Sequence, residues 1–173
     1  MEILEDREQW IANFRDGWLA HYRQTGEFDW ERYPRLKNRV APAGKGIDLS
    51  VSRLILISSA GGYVPEKQQP FDTAHPLGDY TIRSFQTSTT LSQLAFAHDH
   101  YDHAAVNQDQ QVLIPLRHLE DLVAERVIGE LASSVISFMG YQPDVARVIE
   151  ETIPAIVQVA QSEQVHAALL VPA

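Results

Sequence analysis

The chain contains no cysteine. That absence excludes disulfides, thiolate zinc sites, iron–sulfur clusters and any cysteine nucleophile within these residues. A metal would have to be held by His, Asp or Glu, and thiol or selenol chemistry would have to be supplied by another polypeptide. Positive charge is also scarce: 14 Lys and Arg stand against 23 Asp and Glu, a net charge of −9. So acidic a chain lacks the footprint for phosphate backbones, and neither nucleic acid nor a membrane surface is an expected partner. No apolar run approaches the roughly 18 residues that a membrane span needs. The opening MEILEDREQW is charged and lacks a signal-peptide core. A cytoplasmic protein is expected.

What is present fits an ordinary globular chain, 45% hydrophobic and 21% charged over 173 residues. We expect a single α/β domain over 1–173, with a helical segment over 1–33 and a core over 34–173. Trp10, Phe14, Trp18 and Tyr22 recur every four residues. That spacing predicts an amphipathic helix over 4–24 whose aromatic stripe docks on a core or on a partner subunit. Residues 34–50 read as an extended connector.

Arg53–Ser59 is a short apolar run that suits a strand buried on both faces of a parallel sheet. It ends at Gly61-Gly62, where positive φ and close backbone approach are allowed. Asp79–Phe85, Leu94–Ala97, Val112–Ile114, Ser133–Phe138 and Val165–Val171 are further expected strands, the last one buried. A helix is expected from Pro115 to about Glu125, and another from Val145 to about Glu163. Asp144 would cap the second and Pro154 would kink it. Strands alternating with helices predict a layered α/β fold with a largely parallel sheet flanked by helices.

His98-Asp99-His100-Tyr101-Asp102-His103 packs three imidazoles and two carboxylates into six residues. His98, His100, Asp102 and His103 are the candidate ligands for a divalent Zn, Fe or Mn. Alternatively His98 or His100 acts as a metal-free acid or base, with Asp102 orienting it and Tyr101 as a proton donor. The letters resemble the H-x-H-x-D-H run of the metallo-β-lactamase fold, which would imply a metal-dependent hydrolase. The downstream ligands of that fold have no clear counterpart here, and Ala104-Ala105 replaces its glycines. A hydrated acidic loop without chemistry is the remaining reading.

Four segments in order carry a second resemblance: LILISSAGGY (54–63), PFDTAHPLGDYTIRSF (70–85), HDHYDHAAVNQDQQVLIPLRHL (98–119) and VIGELASSVISFMG (127–140). With Pro70-Phe71, Gly78-Asp79, Arg83, His98, Tyr101-Asp102, Asp109, Pro115-Leu116 and Ile128-Gly129 as echoes, residues 35–173 resemble the selenoprotein B family of glycine/sarcosine/betaine and D-proline reductases. They are most similar to its short stand-alone relatives. The resemblance implies a subunit that takes a small amino acid or amine. A partner's pyruvoyl group activates that substrate, and a selenocysteine or cysteine cleaves its C–N bond. This chain departs at the redox residue, since it reaches Pro172-Ala173 where the Cys or Sec would begin.

The expected substrate pocket comprises Gly61, Gly62, Asp79, Arg83 and Asp109 beside the His98–His103 turn. Arg83 reads either as a carboxylate clamp or as an ion-pair partner of Asp79. Asp109 either orients an imidazole or forms a turn. Three functions follow as expectations. One is a small-molecule-binding, reductase-related protein without its own thiol. Another is a non-catalytic subunit joined to itself or a partner through the aromatic helix. The third is the metal-dependent hydrolase.

Overall fold

The computed structural model describes residues 4–35, 37–40, 44–98 and 101–173. They divide into two units, Met1–Gly46 and Ile47–Ala173. Among the described residues, no helix is long and apolar enough to cross a membrane.

In the first unit the expected helix forms as α1 (Arg7–Phe14), a π-helical turn (Arg15–Leu19) and α2 (Ala20–Thr25). A four-residue spacing overshoots a 3.6-residue turn by about 40° per step. The wider π turn offsets that drift and holds the aromatics in one stacked row: Trp10 on Phe14, Phe14 on Trp18, Trp18 on Tyr22. Gly26, at φ 73°, ends the helix. The chain then returns over the stripe. Phe28 stacks on Trp18 and Tyr22, and Tyr33 meets Trp18 edge-on at 5.1 Å. Trp10 Nε1 donates to the Pro34 carbonyl at 2.8 Å. Phe14 and Trp18 are fully buried. The stripe is therefore covered by residues of its own unit.

The second unit carries β1 (Arg53–Ser58), β2 (Gly62–Tyr63), β3 (Ile82–Gln86), β4 (Ala95–Phe96), α3 (Ala104–Gln108), α4 (Leu116–Ala124), β5 (Glu130–Phe138), α5 (Val145–Arg147), α6 (Ile153–Ser162) and β6 (Ala167–Val171). The main sheet has the order β3-β5-β1-β6. β1 runs parallel to β5 and β6, and β3 closes one edge antiparallel to β5. This is the expected mainly parallel α/β sheet. β2 and β4 form a separate antiparallel pair.

Alternation along β1 divides the core. Leu54 and Leu56 pack with Val135, Ile114, Leu116 and Leu119, so α4 covers that face. Ile55 and Ile57 pack with Ala132 and Ile136 under Ile156 and Val159 of α6, on the other face. The passage from β1 to β5 thus crosses one face and that from β5 to β6 crosses the opposite one. The order reverses between β1 and β6, and open α/β sheets bind ligands outside the carboxyl ends of strands at such a reversal.

Three expected elements differ. The strand expected from Asp79 begins at Ile82, because the Asp79 carboxylate accepts from the Thr81 amide and holds a turn. Val112–Ile114 is no strand, since Gln110–Val112 forms a 3-10 turn under Asp109. β6 is an edge strand with alternate residues exposed, not a buried one. Before α6, a π turn (Val148–Thr152) lets the Ile153 amide reach the Val148 carbonyl. That wider register falls where Pro154 lacks an amide and crowds the preceding turn.

Gly78 (φ 76°) abuts the Tyr141 carbonyl, and any Cβ there would collide with that oxygen. Gly78→Ala is expected to lower stability by about 2 kcal/mol or more, combining left-handed strain with a backbone shift. Urea denaturation measures it, and a smaller loss than Gly44→Ala, where a Cβ meets open space, contradicts the packing described.

Candidate functional site at the carboxyl end of the sheet

β1 ends at Ser58, and the next three residues bind every neighbouring element. The Ser59 amide donates to Val171 of β6, and the Ser59 carbonyl accepts from Gly140 just beyond β5. Ser59 Oγ accepts from the Ala173 amide at 2.9 Å. Gly61 turns the chain at φ 66°. Its amide donates to Phe138 and its carbonyl accepts from Ala97. The Gly62 amide donates to Ser137 Oγ at 2.7 Å.

His98 lies against this turn. A Cβ on Gly61 would stand 2.8 Å from the His98 amide nitrogen, and one on Gly140 would stand 3.0 Å from His98 Nε2. Two glycines from different segments therefore admit one buried residue, Gly61 its backbone and Gly140 its ring, and His98 is only 4% exposed. Tyr101 reaches back over the turn, its hydroxyl donating to the Ala60 carbonyl at 3.1 Å. Its ring meets His98 edge-on and His103 at a tilt, with centroids 5.3 and 4.6 Å away. Burial pushes the Tyr101 phenol up to about 12. His103 Nε2 lies 2.6 Å from the His98 carbonyl. A carbonyl only accepts, so Nε2 carries the proton and the neutral ring keeps its lone pair on Nδ1.

Most of the expected site residues meet at this end. Gly61, Gly62, His98, Tyr101 and His103 form one cluster. Asp79 and Arg83 sit at the same end of the sheet, beside the start of β3, where Ile82 and Arg83 pair with Phe138 and Ser137. The Arg83 guanidinium donates to the carbonyls of Gln69, Pro70 and Ile82 and to Thr81 Oγ1, with Asp79 Oδ2 at 3.7 Å. It also covers the Phe71 ring at 4.3 Å. These bonds make it a clamp on the 69–82 loop. Burial raises the Asp79 carboxyl, but hydrogen bonds from Thr81 and Asp72 and the Arg83 charge outweigh it and hold the group below the usual carboxylate range.

Asp102 accepts from the Ala104 amide and opens α3, and Asp109 accepts from the Gln111 amide. Both serve turns. His100 lies outside the described residues, as does Asp99. Among the described residues, no three of His, Asp and Glu converge as a metal site. Sequence reasoning missed Ser59 and Gly140. Gly140 follows a predicted strand, and a glycine at a strand end was the available signal.

The amino end of the sheet also holds a hollow of about 400 Å³, lined by Arg53, Glu130, Ser133 and Glu163. Its charges are satisfied internally. Arg53 pairs with Glu130, while Glu163 accepts from Ser133 and Ser134 amides and Ser133 Oγ.

The family model for glycine/sarcosine/betaine reductase selenoprotein B matches residues 22–173. The D-proline reductase subunit gamma of Acetoanaerobium sticklandii is 29% identical over 123 residues, covering 71% of this chain and 49% of that protein. The sarcosine reductase complex component B subunit beta of Peptoclostridium acidaminophilum is 32% identical over 120 residues, covering 67% of this chain and 27% of that protein. The chain thus spans about half the length of one relative and about a quarter of the other. No solved structure matches the chain significantly.

Gly140→Ala is expected to displace the His98 ring by a few tenths of an ångström, since the added Cβ would stand 3.0 Å from Nε2. The measurement is the His98 side-chain resonances by NMR, which move far more than in Gly44→Ala; unchanged resonances refute the contact. The Tyr101 phenol holds its proton more tightly in the folded chain than an exposed tyrosine near 10. Its contribution to stability is complete below about pH 10 and is lost as pH rises through about 12. Tyr101→Phe therefore removes one late step from the ultraviolet tyrosinate titration and costs about 1 kcal/mol at neutral pH from the lost hydrogen bond.

Proposed function

The chain belongs to the glycine/sarcosine/betaine reductase selenoprotein B family, and from that premise we propose that it is a reductase-complex subunit. In this reading it binds a small amino acid or amine at the carboxyl ends of β1, β5 and β6. The observation that carries the reading is the close seat of buried His98, its backbone and Cβ against Gly61 and its ring Nε2 against Gly140, where the strand order reverses. A contact built from three separate segments costs glycines at fixed positions, and stability alone does not require it.

The residues divide the work. Gly61 and Gly62 bring backbone close to the ligand, and His98 forms the buried wall. His103 offers Nδ1 as a proton acceptor, held in one tautomer by the His98 carbonyl. Tyr101 keeps its proton across the physiological range and fixes both rings. Asp79 and Arg83 hold the loop beside β3 that borders the site. Reductive cleavage of a C–N bond consumes two electrons and two protons. With no cysteine in the sequence, the electrons would come from a thiol or selenol outside these residues. That requirement favours a subunit over a self-sufficient enzyme, and the two relatives are named as subunits.

The test is titration of the isotope-labelled chain with glycine, sarcosine, betaine and D-proline, followed by amide NMR. One of them is expected to shift Gly61, Gly62 and Gly140 together, with at least tenfold weaker binding in His103→Gln. No response at those glycines to any of the four overturns the reading.

A further inference from the structure

β6 is the open edge of the main sheet, paired with β1 on one side. Its five residues, Ala167-Ala168-Leu169-Leu170-Val171, include no charge and no proline. Edge strands ordinarily carry a lysine, a proline or a bulge that blocks further pairing. The opposite edge, β3, holds Arg83 and ends in Gln86. β6 has no such guard.

The side chains beside this edge are equally unguarded. Leu170 pairs in register with Ile57 and so projects on the α6 side of the sheet. It is 67% exposed. On that side α6 exposes Ile153 and Val157, and none of its residues is buried. Residues 153–173 contain one charged side chain, Glu163, which is already bonded to Ser133 and Ser134. Over the whole chain 21% of residues are charged and the net charge is −9. Two copies would repel over most of their surfaces. At this edge they can meet without bringing like charges together.

We propose that the β6 edge and the exposed flank of α6 form an isologous interface between two copies of this chain. β6 pairs antiparallel with β6 of the second copy about a twofold axis at Leu169, joining two four-stranded sheets into one. This register sets Leu170 of one copy opposite Ala168 of the other on the α6 face, large against small. Leu169 meets its own counterpart on the opposite face. A twofold axis requires such a self-complementary strand, and edge pairing satisfies backbone groups on both copies at once. The inference does not depend on the reductase reading.

Sedimentation velocity of the full chain at micromolar concentrations tests it, with a dimer expected. Leu170→Glu is expected to weaken dimerisation at least tenfold. Because Leu170 is exposed, the variant's circular dichroism spectrum should match wild type, which separates dissociation from unfolding; its melt falls only by the stabilisation that association supplied. The double variant Ala168→Lys with Leu170→Glu places opposite charges across the proposed pair and should regain the dimer. A monomeric wild type, a dimer indifferent to Leu170→Glu, or a double variant that stays monomeric overturns the proposal. So does a wild-type chain that uses this edge only for a different subunit.

Discussion

The way the chain leaves β1 governs the second unit. Ser59, Ala60 and Gly61 spend their backbone groups on β6, on the segments at the end of β5, on β4 and on Tyr101. A strand end ordinarily leaves its last amides and carbonyls to water. Here those groups are the fasteners that draw four segments to one place. The left-handed turn at Gly61 makes this possible, because only a residue without Cβ can turn there with the His98 backbone so close. Lose that turn, and His98, Tyr101 and His103 lose their common support.

The topology explains why chemistry gathers at one end of the sheet and not at the other. Two crossovers on opposite faces bury both sides of β1, and the connections part company between β1 and β6. At the amino end Arg53 pairs with Glu130 and donates to the Glu163 backbone carbonyl, while the Glu163 carboxylate accepts from Ser133 and Ser134. At the carboxyl end Gly61, Gly62 and Gly140 bring backbone segments close together, and the buried His98 ring and the His103 ring both pack against Tyr101. Arg83 works at the margin of this region. Its fork of donors matches three carbonyls and a hydroxyl, so the loop between β2 and β3 is tied down without a core of its own.

Much of this was legible in the residues. The run Leu54–Ile57 announced a doubly buried strand, Pro115 the start of α4, and Asp144 the cap that accepts from the Arg147 amide. Gly61 was readable as a left-handed turn, and the nearness of the histidine segment to it was a sound expectation. Other features were hidden because they depend on partners distant in sequence. Apolar residues in β6 read as buried, since nothing in Val165–Val171 tells an edge from a centre. The aromatic stripe read as a docking face because its cover, Phe28, Trp30 and Tyr33, lies in a segment without periodicity. Asp102 and Asp109 have the right chemistry for orienting an imidazole, yet each satisfies an amide two residues on, the commonest fate of aspartate in a turn.

The two described histidines of the cluster are not interchangeable, and the backbone makes the difference. His98 gives its carbonyl to His103, sets its backbone against Gly61 and its ring against Gly140. It is therefore fixed at both ends and suited to shape a wall. His103 opens α3 and is anchored through one nitrogen alone. Because a carbonyl cannot donate, that anchor also determines which nitrogen remains basic. A ring fixed at both ends and a ring anchored through one nitrogen thus stand on either side of Tyr101, and the sequence H-D-H-Y-D-H supplies both within six residues.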